Sequence, residues 1–174
     1  NPELKTHLKF RCGCGSIRWK VPRSAIFGYN ECYCQSCKDG IERCKKDPRW
    51  KDIKENKSNY CSFAVNHNLE YGAGILVSRT GHEEFNLEAS NGDPKDKLET
   101  FTLKKNSPVY RTVATCCGTL LCEYAAAMKF IGYLDHCLEE DSVGILSVEA
   151  RINCEATNPS RKNVQDAQIG RAHV

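Results

Sequence analysis

Three cysteines stand close together in the segment Cys32-Tyr33-Cys34-Gln35-Ser36-Cys37. A Cys-x-Cys step places two side chains on the same side of an extended segment, and the Cys-x-x-Cys turn that follows returns the third beside them. One metal ion can therefore bind all three sulfurs. Because structural zinc is usually closed by four protein ligands, three sulfurs leave one position for water or a substrate. The spacing favours a catalytic type of zinc site.

Two other interpretations of this triplet stay open. Cys44 or Cys61 could supply a fourth ligand, which would make the site a purely structural zinc knuckle. The three side chains could also be free thiols that hold no metal. The identity of the fourth ligand therefore distinguishes a catalytic site from a structural one.

The composition is that of one globular domain. The chain has 174 residues, of which 40% are hydrophobic and 27% are charged, and this length can bury a real core. The net charge of +3 is too balanced to favour a nucleic-acid surface. No apolar run approaches the roughly 20 residues that a membrane-spanning helix needs. We therefore expect neither nucleic acid as a partner nor a membrane span.

The cysteine content bears on the compartment. Twelve cysteines could form a disulfide framework. The pairs Cys12/Cys14 and Cys32/Cys34 are, however, poorly spaced for local disulfides and well spaced for a metal. We therefore expect a reducing intracellular compartment. The first residues carry no apolar signal segment, so the cytoplasm is favoured, with a mitochondrial location after removal of a transit peptide as the alternative.

Short stretches rich in aromatic and β-branched residues predict a mainly β chain. They alternate polar and apolar residues or are bounded by Gly, Asn and Pro. The sequence from Ser90 to Pro94 adds a clear turn signal. The predicted strands are His7–Arg11, Ile17–Val21, Ile26–Cys32, Tyr60–Val65, Gly74–Ser78, Leu98–Leu103, Val109–Thr115 and Val143–Asn153.

Three segments depart from this β pattern. Residues 38–58 are densely charged, and we expect a solvated surface loop that can include a helical turn, with a partner-binding patch as the alternative; only Trp50 there could anchor a contact. Residues 123–137 contain three consecutive alanines and are the best helix candidate, although Gly132 weakens it. The polar residues 158–174 are predicted to form a loosely packed tail, which leaves a single domain over residues 1–157.

Two further cysteine motifs flank the triplet. Cys12-Gly13-Cys14-Gly15 precedes it, and Thr115-Cys116-Cys117-Gly118-Thr119 follows it, with Cys122 just beyond. This order, together with the Ile17-Arg18-Trp19 strand, resembles the glutathione-dependent formaldehyde-activating enzyme (GFA) family over roughly residues 8–124. The resemblance implies an Mss4-like fold, a β-tent of short antiparallel strands around zinc-binding cysteine motifs, with one or two short helices.

The resemblance also implies a structural zinc at Cys12, Cys14 and Cys117. The family's fourth ligand falls three residues before Cys117, where this chain has Ala114. Either Cys116 or Cys122 replaces that ligand or the site has lost its metal, since structural zinc takes four ligands. Adjacent cysteines rarely reach one ion without strain, which counts against Cys116.

The same resemblance implies that a zinc at Cys32, Cys34 and Cys37 faces glutathione. The glutathione thiolate would attack formaldehyde beside the ion to give S-hydroxymethylglutathione, which is the activity of a carbon-sulfur lyase. Arg111 matches a basic position of the family and could meet a glutathione carboxylate, although a surface arginine on a strand is favoured.

Departures from the family pattern motivate a second function. Ala114 replaces a ligand, and a long charged insertion follows Cys37. Both changes are compatible with a noncatalytic accessory or structural subunit of a larger protein assembly. The sequence therefore predicts either a glutathione-using enzyme or a zinc-fold protein with protein partners.

The remaining cysteines and histidines are not expected to carry chemistry. Cys137 and Cys154 have apolar neighbours and suit buried positions for small hydrophobic side chains. His67 and His82 stand in polar segments and lack the paired spacing of metal ligands.

Overall fold

The computed structural model describes residues 6–55, 71–79 and 87–152. Within these ranges the chain forms ten β-strands, two short α-helices and several turns of 3-10 helix. The strands are β1 (His7–Arg11), β2 (Ile17–Pro22), β3 (Ile26–Cys32), β4 (Ile75–Ser78), β5 (Glu88–Ala89), β6 (Leu98–Phe101), β7 (Val109–Ala114), β8 (Leu120–Ala125), β9 (Phe130–Tyr133) and β10 (Ala150–Ile152). The helices are α1 (Gln35–Lys46) and α2 (Lys51–Glu55), and the 3-10 turns are Arg23–Ala25, Pro48–Trp50, Pro94–Lys97, Asp135–Cys137 and Glu140–Ser142.

The smaller of two sheets has the antiparallel order β1-β2-β5. The apolar side chains of β1 and β2 are buried, whereas Arg18 and Lys20, which alternate with the apolar residues of β2, are exposed. A sheet that covers a core with one face requires this period of two. The strands predicted at residues 7–11 and 17–21 are therefore confirmed. The buried residues are Leu8, Phe10, Ile17, Trp19 and Val21.

The larger sheet has seven strands in the order β10-β3-β4-β9-β8-β7-β6. Neighbouring strands are antiparallel except β10, which runs parallel to β3. The strand β3 ends at Cys32, and the turn between β7 and β8 contains Cys116 and Cys117. The larger sheet therefore positions Cys32 at the end of one strand and Cys116 and Cys117 in the turn between two others.

Aromatic rings join the two sheets in one core. Phe10 and Trp19 of the smaller sheet stack with ring centroids 5.3 Å apart. Tyr133 of the larger sheet lies 5.5 Å from each of those rings. A backbone bridge between Phe10 and Leu138 adds a second link. The expectation of a mainly β fold with short helices is confirmed.

The helix predicted over residues 123–137 is wrong. The chain instead forms β8, a turn in which the Met128 amide donates to the Ala125 carbonyl at 3.0 Å, and β9. Pairing of β8 with strands on both sides overrides the helix propensity of the alanines. The alanine run contributes to the turn.

The solvated loop predicted over residues 38–58 is also wrong for its described part. The charged segment continues α1 to Lys46 and then forms a 3-10 turn and α2. Its apolar positions Ile41, Cys44 and Trp50 are buried, while basic residues lie between them. An amphipathic helix explains this mixture better than a loop. The many charged residues between these apolar positions made the buried face of the segment hard to recognise in the sequence.

Some expectations are only partly met, and others fall outside the described residues. The strand predicted over Val143–Asn153 is limited to Ala150–Ile152 within the described part. The predicted strand at Tyr60–Val65 and the predicted tail at residues 158–174 lie outside the described residues. Neither described helix has the length and hydrophobicity needed to cross a membrane.

Candidate metal centres

Four cysteines from two distant turns meet in a first cluster. Cys12 and Cys14 lie in the connection between β1 and β2, where Gly15 has a positive φ of 76° and donates its amide to the Cys12 carbonyl at 2.9 Å. A side chain disfavours that conformation, so glycine suits this tight turn. Cys116 and Cys117 lie in the turn between β7 and β8. The four sulfurs all lie within 4.8 Å of one another.

The distances within the first cluster suit a tetrahedral metal site. The Cys12 sulfur lies 3.6 Å from that of Cys14 and 3.8 Å from that of Cys116. Cys14 and Cys116 are 3.5 Å apart, and the adjacent Cys116 and Cys117 are 4.0 Å apart. Sulfurs bound about 2.3 Å from a tetrahedral zinc lie about 3.8 Å from one another. The cluster could therefore hold one zinc-sized ion with little movement.

Hydrogen bonds within the first cluster lower the pKa of Cys14 and Cys117 and raise that of Cys12, and the hydrogen bond with Cys117 raises that of Cys116. The Ile17 amide donates to the Cys12 sulfur at 3.3 Å, and Thr119 Oγ1 lies 3.0 Å from the Cys117 sulfur. A hydrogen bond with Cys116 raises the pKa of Cys12. Hydrogen bonds with Cys116 and, to a smaller extent, with Cys12 lower the pKa of Cys117 to about 7. Cys116 and Cys117 also lower the pKa of Cys14. Some thiols of the cluster thus ionise readily, as metal ligands must.

The sequence left the fourth member of this cluster undecided between Cys116 and Cys122. The structure places Cys116 in the cluster, because the turn after Ala114 directs both adjacent sulfurs toward Cys12 and Cys14. Cys122 lies on β8, outside the cluster, and burial raises its pKa to about 12. Ala114 is fully buried at the end of β7.

Three cysteines form a second cluster at the start of α1. Cys32 ends β3, Cys34 is the residue that caps the N-terminus of α1, and Cys37 lies in the first turn of that helix. The three sulfurs lie within 4.8 Å of one another, and those of Cys34 and Cys37 are 3.5 Å apart. The cluster could hold a metal with three sulfur ligands, as the spacing of the triplet predicts.

A buried carboxylate lies beside this second cluster. Glu123 Oε2 is 3.2 Å from the Cys37 sulfur, and the side chain of Glu123 is 6% exposed. A hydrogen bond with Cys32, burial, and the charge of Glu123 raise the pKa of Cys37. Glu123 touches Cys37 without joining the set of mutually close ligand atoms. Sequence analysis missed Glu123, although a charged residue in the otherwise apolar strand β8 was a usable signal.

Arg111 is neither a surface residue nor exposed to a ligand from solvent. Its side chain is 1% exposed, and its Nε donates to Glu123 Oε1 at 2.8 Å. Its Nη2 donates to the carbonyl and hydroxyl oxygens of Ser36 at 2.8 and 2.9 Å. The favoured expectation of a surface arginine on a strand is therefore wrong. The structure places Arg111 behind the second cluster.

The other sequence candidates lie apart from the clusters. Cys44 is buried on α1 and does not belong to the second cluster, so it is not the fourth ligand proposed for a structural knuckle. Cys137 is fully buried, as predicted. In the described part of the chain all ten cysteines are free of disulfides. Cys61, Cys154, His67 and His82 lie outside the described residues.

A mainly apolar cleft of about 260 Å³ lies away from both clusters. Trp19 contributes to it from the smaller sheet, and Tyr124 and Tyr133 from the larger one. Cys122 is its single cysteine, so none of the seven clustered cysteines lines it. The candidate chemistry therefore lies in the cysteine clusters and not in this cleft.

Comparison with known proteins gives no match. No protein-family model matches the chain, and no curated protein or solved structure is significantly similar to it. The class that the fold and the sites define is a mainly β protein with two cysteine clusters that could bind metal. Membership of the GFA family and the Mss4-like fold stay predictions from the motif order.

Proposed function

We propose that the chain is a zinc protein of the GFA type with one structural and one reactive site. The observation that carries this proposal is the difference between the clusters, four sulfurs in the first and three in the second. Four sulfurs complete a tetrahedral shell, whereas three leave a position for an exchangeable ligand. The proposal includes an Mss4-like arrangement of the sheets and a reducing intracellular compartment.

The proposed reaction joins glutathione and formaldehyde at the second cluster. The glutathione sulfur attacks the carbonyl carbon, the C–S bond forms, and the carbonyl electron pair passes to oxygen, which takes the thiol proton. Zinc bound there would supply the positive charge that polarises the carbonyl and favours the thiolate. Cys32, Cys34 and Cys37 would hold the ion and take no covalent part. The product is S-hydroxymethylglutathione.

Exchange NMR tests this reaction, because glutathione and formaldehyde combine without a catalyst and only the rate distinguishes an enzyme. The zinc-loaded protein should raise the exchange rate between ¹³C-formaldehyde and its glutathione adduct. Cys34→Ala should remove the increase, whereas Cys122→Ala, a cysteine outside both clusters, should retain it. A wild-type rate equal to that in buffer overturns the catalytic part of the proposal.

One observation favours a second candidate, a noncatalytic subunit of a larger protein assembly. Arg111 is the one residue that the resemblance offers for a glutathione carboxylate, and its guanidinium is engaged by Glu123 and Ser36 inside the protein. In this candidate the second metal site, like the first, would stabilise the fold and have no catalytic role. Size-exclusion chromatography of the native protein from its source tests this candidate. Elution at the size of a single chain would argue against it.

A further inference from the structure

A buried ion pair stands behind the second cluster. Arg111 and Glu123 face each other across the paired strands β7 and β8, with side chains 1% and 6% exposed. Removing two charges from water is costly, so a pair as buried as this is weak evidence for a role in stability alone. Its contacts to the cysteine-bearing segment indicate a different role.

Both members of the pair touch the first turn of α1. Glu123 Oε2 lies 3.2 Å from the Cys37 sulfur. Arg111 Nη2 donates to the carbonyl and the hydroxyl of Ser36, between Cys34 and Cys37 in the chain. The planar guanidinium thus ties one carboxylate and one turn of backbone together. The pair fixes the segment that presents two of the three sulfurs.

Two glycines let these groups approach closely. A Cβ on Gly40 would lie 2.7 Å from Arg111 Cδ, and a Cβ on Gly72 would lie 2.9 Å from both Glu123 Oε2 and the Cys37 sulfur. Contacts under 3.0 Å require displacement, so larger residues at either position would move the pair or the helix. The pair is therefore packed so closely against Gly40 and Gly72 that neither position has room for a Cβ atom.

The charges of the pair complement those of an occupied site. Three thiolates and one divalent ion leave one net negative charge beside Glu123, which carries another. Arg111 supplies the one guanidinium that touches Glu123 in the described contacts. Its Nη1 is buried and has no hydrogen-bond partner within the described structure. A cation so placed lowers the cost of gathering thiolates next to a carboxylate.

We propose that Arg111 and Glu123 are positioning residues of the second metal site. Glu123 acts through Cys37, and Arg111 acts through Ser36 and through the charge of Glu123. The inference rests on the proposed zinc at Cys32, Cys34 and Cys37, and it adds two residues that set the affinity of that site. Partners behind metal ligands typically change metal affinity by about 10- to 100-fold when they are replaced.

Cadmium-113 NMR and zinc titration against a chromophoric chelator test the inference, because the cadmium signal separates a four-sulfur from a three-sulfur site. Arg111→Gln should weaken metal binding at the second site by about 10- to 100-fold and leave the first site within about twofold.

Glu123→Gln keeps the shape of the side chain and an acceptor for Arg111, so the variant should fold. It should shift only the second cadmium signal and weaken metal binding less than Arg111→Gln does. The double variant should recover the part of the loss that comes from an unpaired buried charge and should still bind less tightly than the wild type, because the Arg111 contact with Ser36 is missing.

The control is Glu99→Gln. Glu99 on β6 is another carboxylate paired with an arginine, since Arg49 Nη1 donates to it at 2.7 Å. The hydrogen bonds of the described residues join neither Glu99 nor Arg49 to the segment from Cys32 to Cys37. This variant should leave both cadmium signals unchanged.

Three results would overturn the inference, and they differ in what else they overturn. Metal in the second site of the wild type with unchanged affinity in Arg111→Gln and Glu123→Gln overturns the role of the pair alone. Equal weakening at both clusters does the same, because it shows general destabilisation. A wild-type second site that takes up no metal overturns both the pair's role and the proposed function.

Discussion

The Cys12 and Cys116 sulfurs lie 3.8 Å apart although 104 residues separate them along the chain. Cys12 belongs to the hairpin of the smaller sheet, and Cys116 belongs to the turn between β7 and β8 of the larger sheet. A metal held by the first cluster would therefore link the two sheets. Since such a site does not exist in the unfolded chain, metal binding there adds to the stability of the fold.

The first prediction concerns metal content and stability. The purified wild type should contain two zinc ions per chain, one for each cluster. Cys116→Ser should lose one of them and unfold at a lower temperature. Free zinc at 1,000 times its dissociation constant stabilises a fold by about 4 kcal/mol. Elemental analysis and thermal unfolding with and without a chelator measure these effects.

The control for this prediction is Cys122→Ala, which removes a buried sulfur that belongs to neither cluster. It should keep both ions even if the loss of a buried side chain lowers the unfolding temperature. Full metal content in Cys116→Ser would show that Cys116 is not a ligand.

The strands of the smaller sheet and the spacing of the triplet could be predicted because their signals are local. Apolar residues alternate in β1 and β2, and one face of that hairpin is buried. Cys32, Cys34 and Cys37 lie so near in sequence that few backbone conformations could place their sulfurs far apart. Local patterns of this kind survive in the fold.

The features that sequence reasoning missed depend on distant contacts. Nothing in Ala125-Ala126-Ala127 shows that β7 and β9 pair with the strand before it. The place of Cys116 in the first cluster depends on contacts with Cys12 and Cys14, which lie 104 and 102 positions away along the chain. The burial of Arg111 depends on a helix from another part of the chain. Propensity and spacing do not specify such contacts.

The second prediction concerns Gly118, which follows the cysteine pair. Gly118 has a φ of 69°, and a Cβ there would lie 2.8 Å from Cγ of the buried Trp50 ring. Trp50 is held in place because its indole nitrogen donates to the Thr115 carbonyl at 2.7 Å. Gly118→Ala should therefore destabilise the fold by more than the roughly 1 kcal/mol that positive φ alone costs. Urea unfolding measures the change.

Gly92→Ala is the matched control for that variant. Gly92 has a φ of 73°, and a Cβ added there would meet no described atom within 4 Å. The difference between the two variants isolates the contact with Trp50. Equal destabilisation in both would show that the ring moves aside at no cost.

The third prediction concerns Gly40 in α1. Alanine is favoured over glycine inside a helix by about 0.5–1 kcal/mol, so Gly40→Ala would stabilise an isolated helix. A Cβ there meets Arg111 Nε and lies 2.7 Å from Arg111 Cδ. We expect Gly40→Ala to lower stability and to weaken metal binding at the second cluster only. Urea unfolding together with zinc titration checks this, and a more stable variant with unchanged metal binding would contradict it.

The fourth prediction is a pH dependence of stability from His136. Burial lowers the pKa of His136 below its ordinary value of 6.5. Its ring Nε2 lies 2.9 Å from the Leu120 carbonyl, and its Nδ1 is buried without a hydrogen-bond partner among the described residues. The folded state therefore favours the neutral ring, because a proton on Nδ1 would place an unpaired charge in the interior.

The sign of the effect follows from the lowered pKa of His136. Well above pH 6.5 the ring is neutral in both the folded and the unfolded state, so its contribution to stability is fully present. As the pH falls below 6.5, the unfolded chain binds a proton that the folded chain resists, and stability declines by up to about 1.4 kcal/mol per pH unit. Urea unfolding at pH 7.5, 6.5 and 5.5 should show this decline. His136→Gln, whose amide can still donate to the Leu120 carbonyl, should show a smaller one, and equal slopes in the two proteins would assign the decline to other groups.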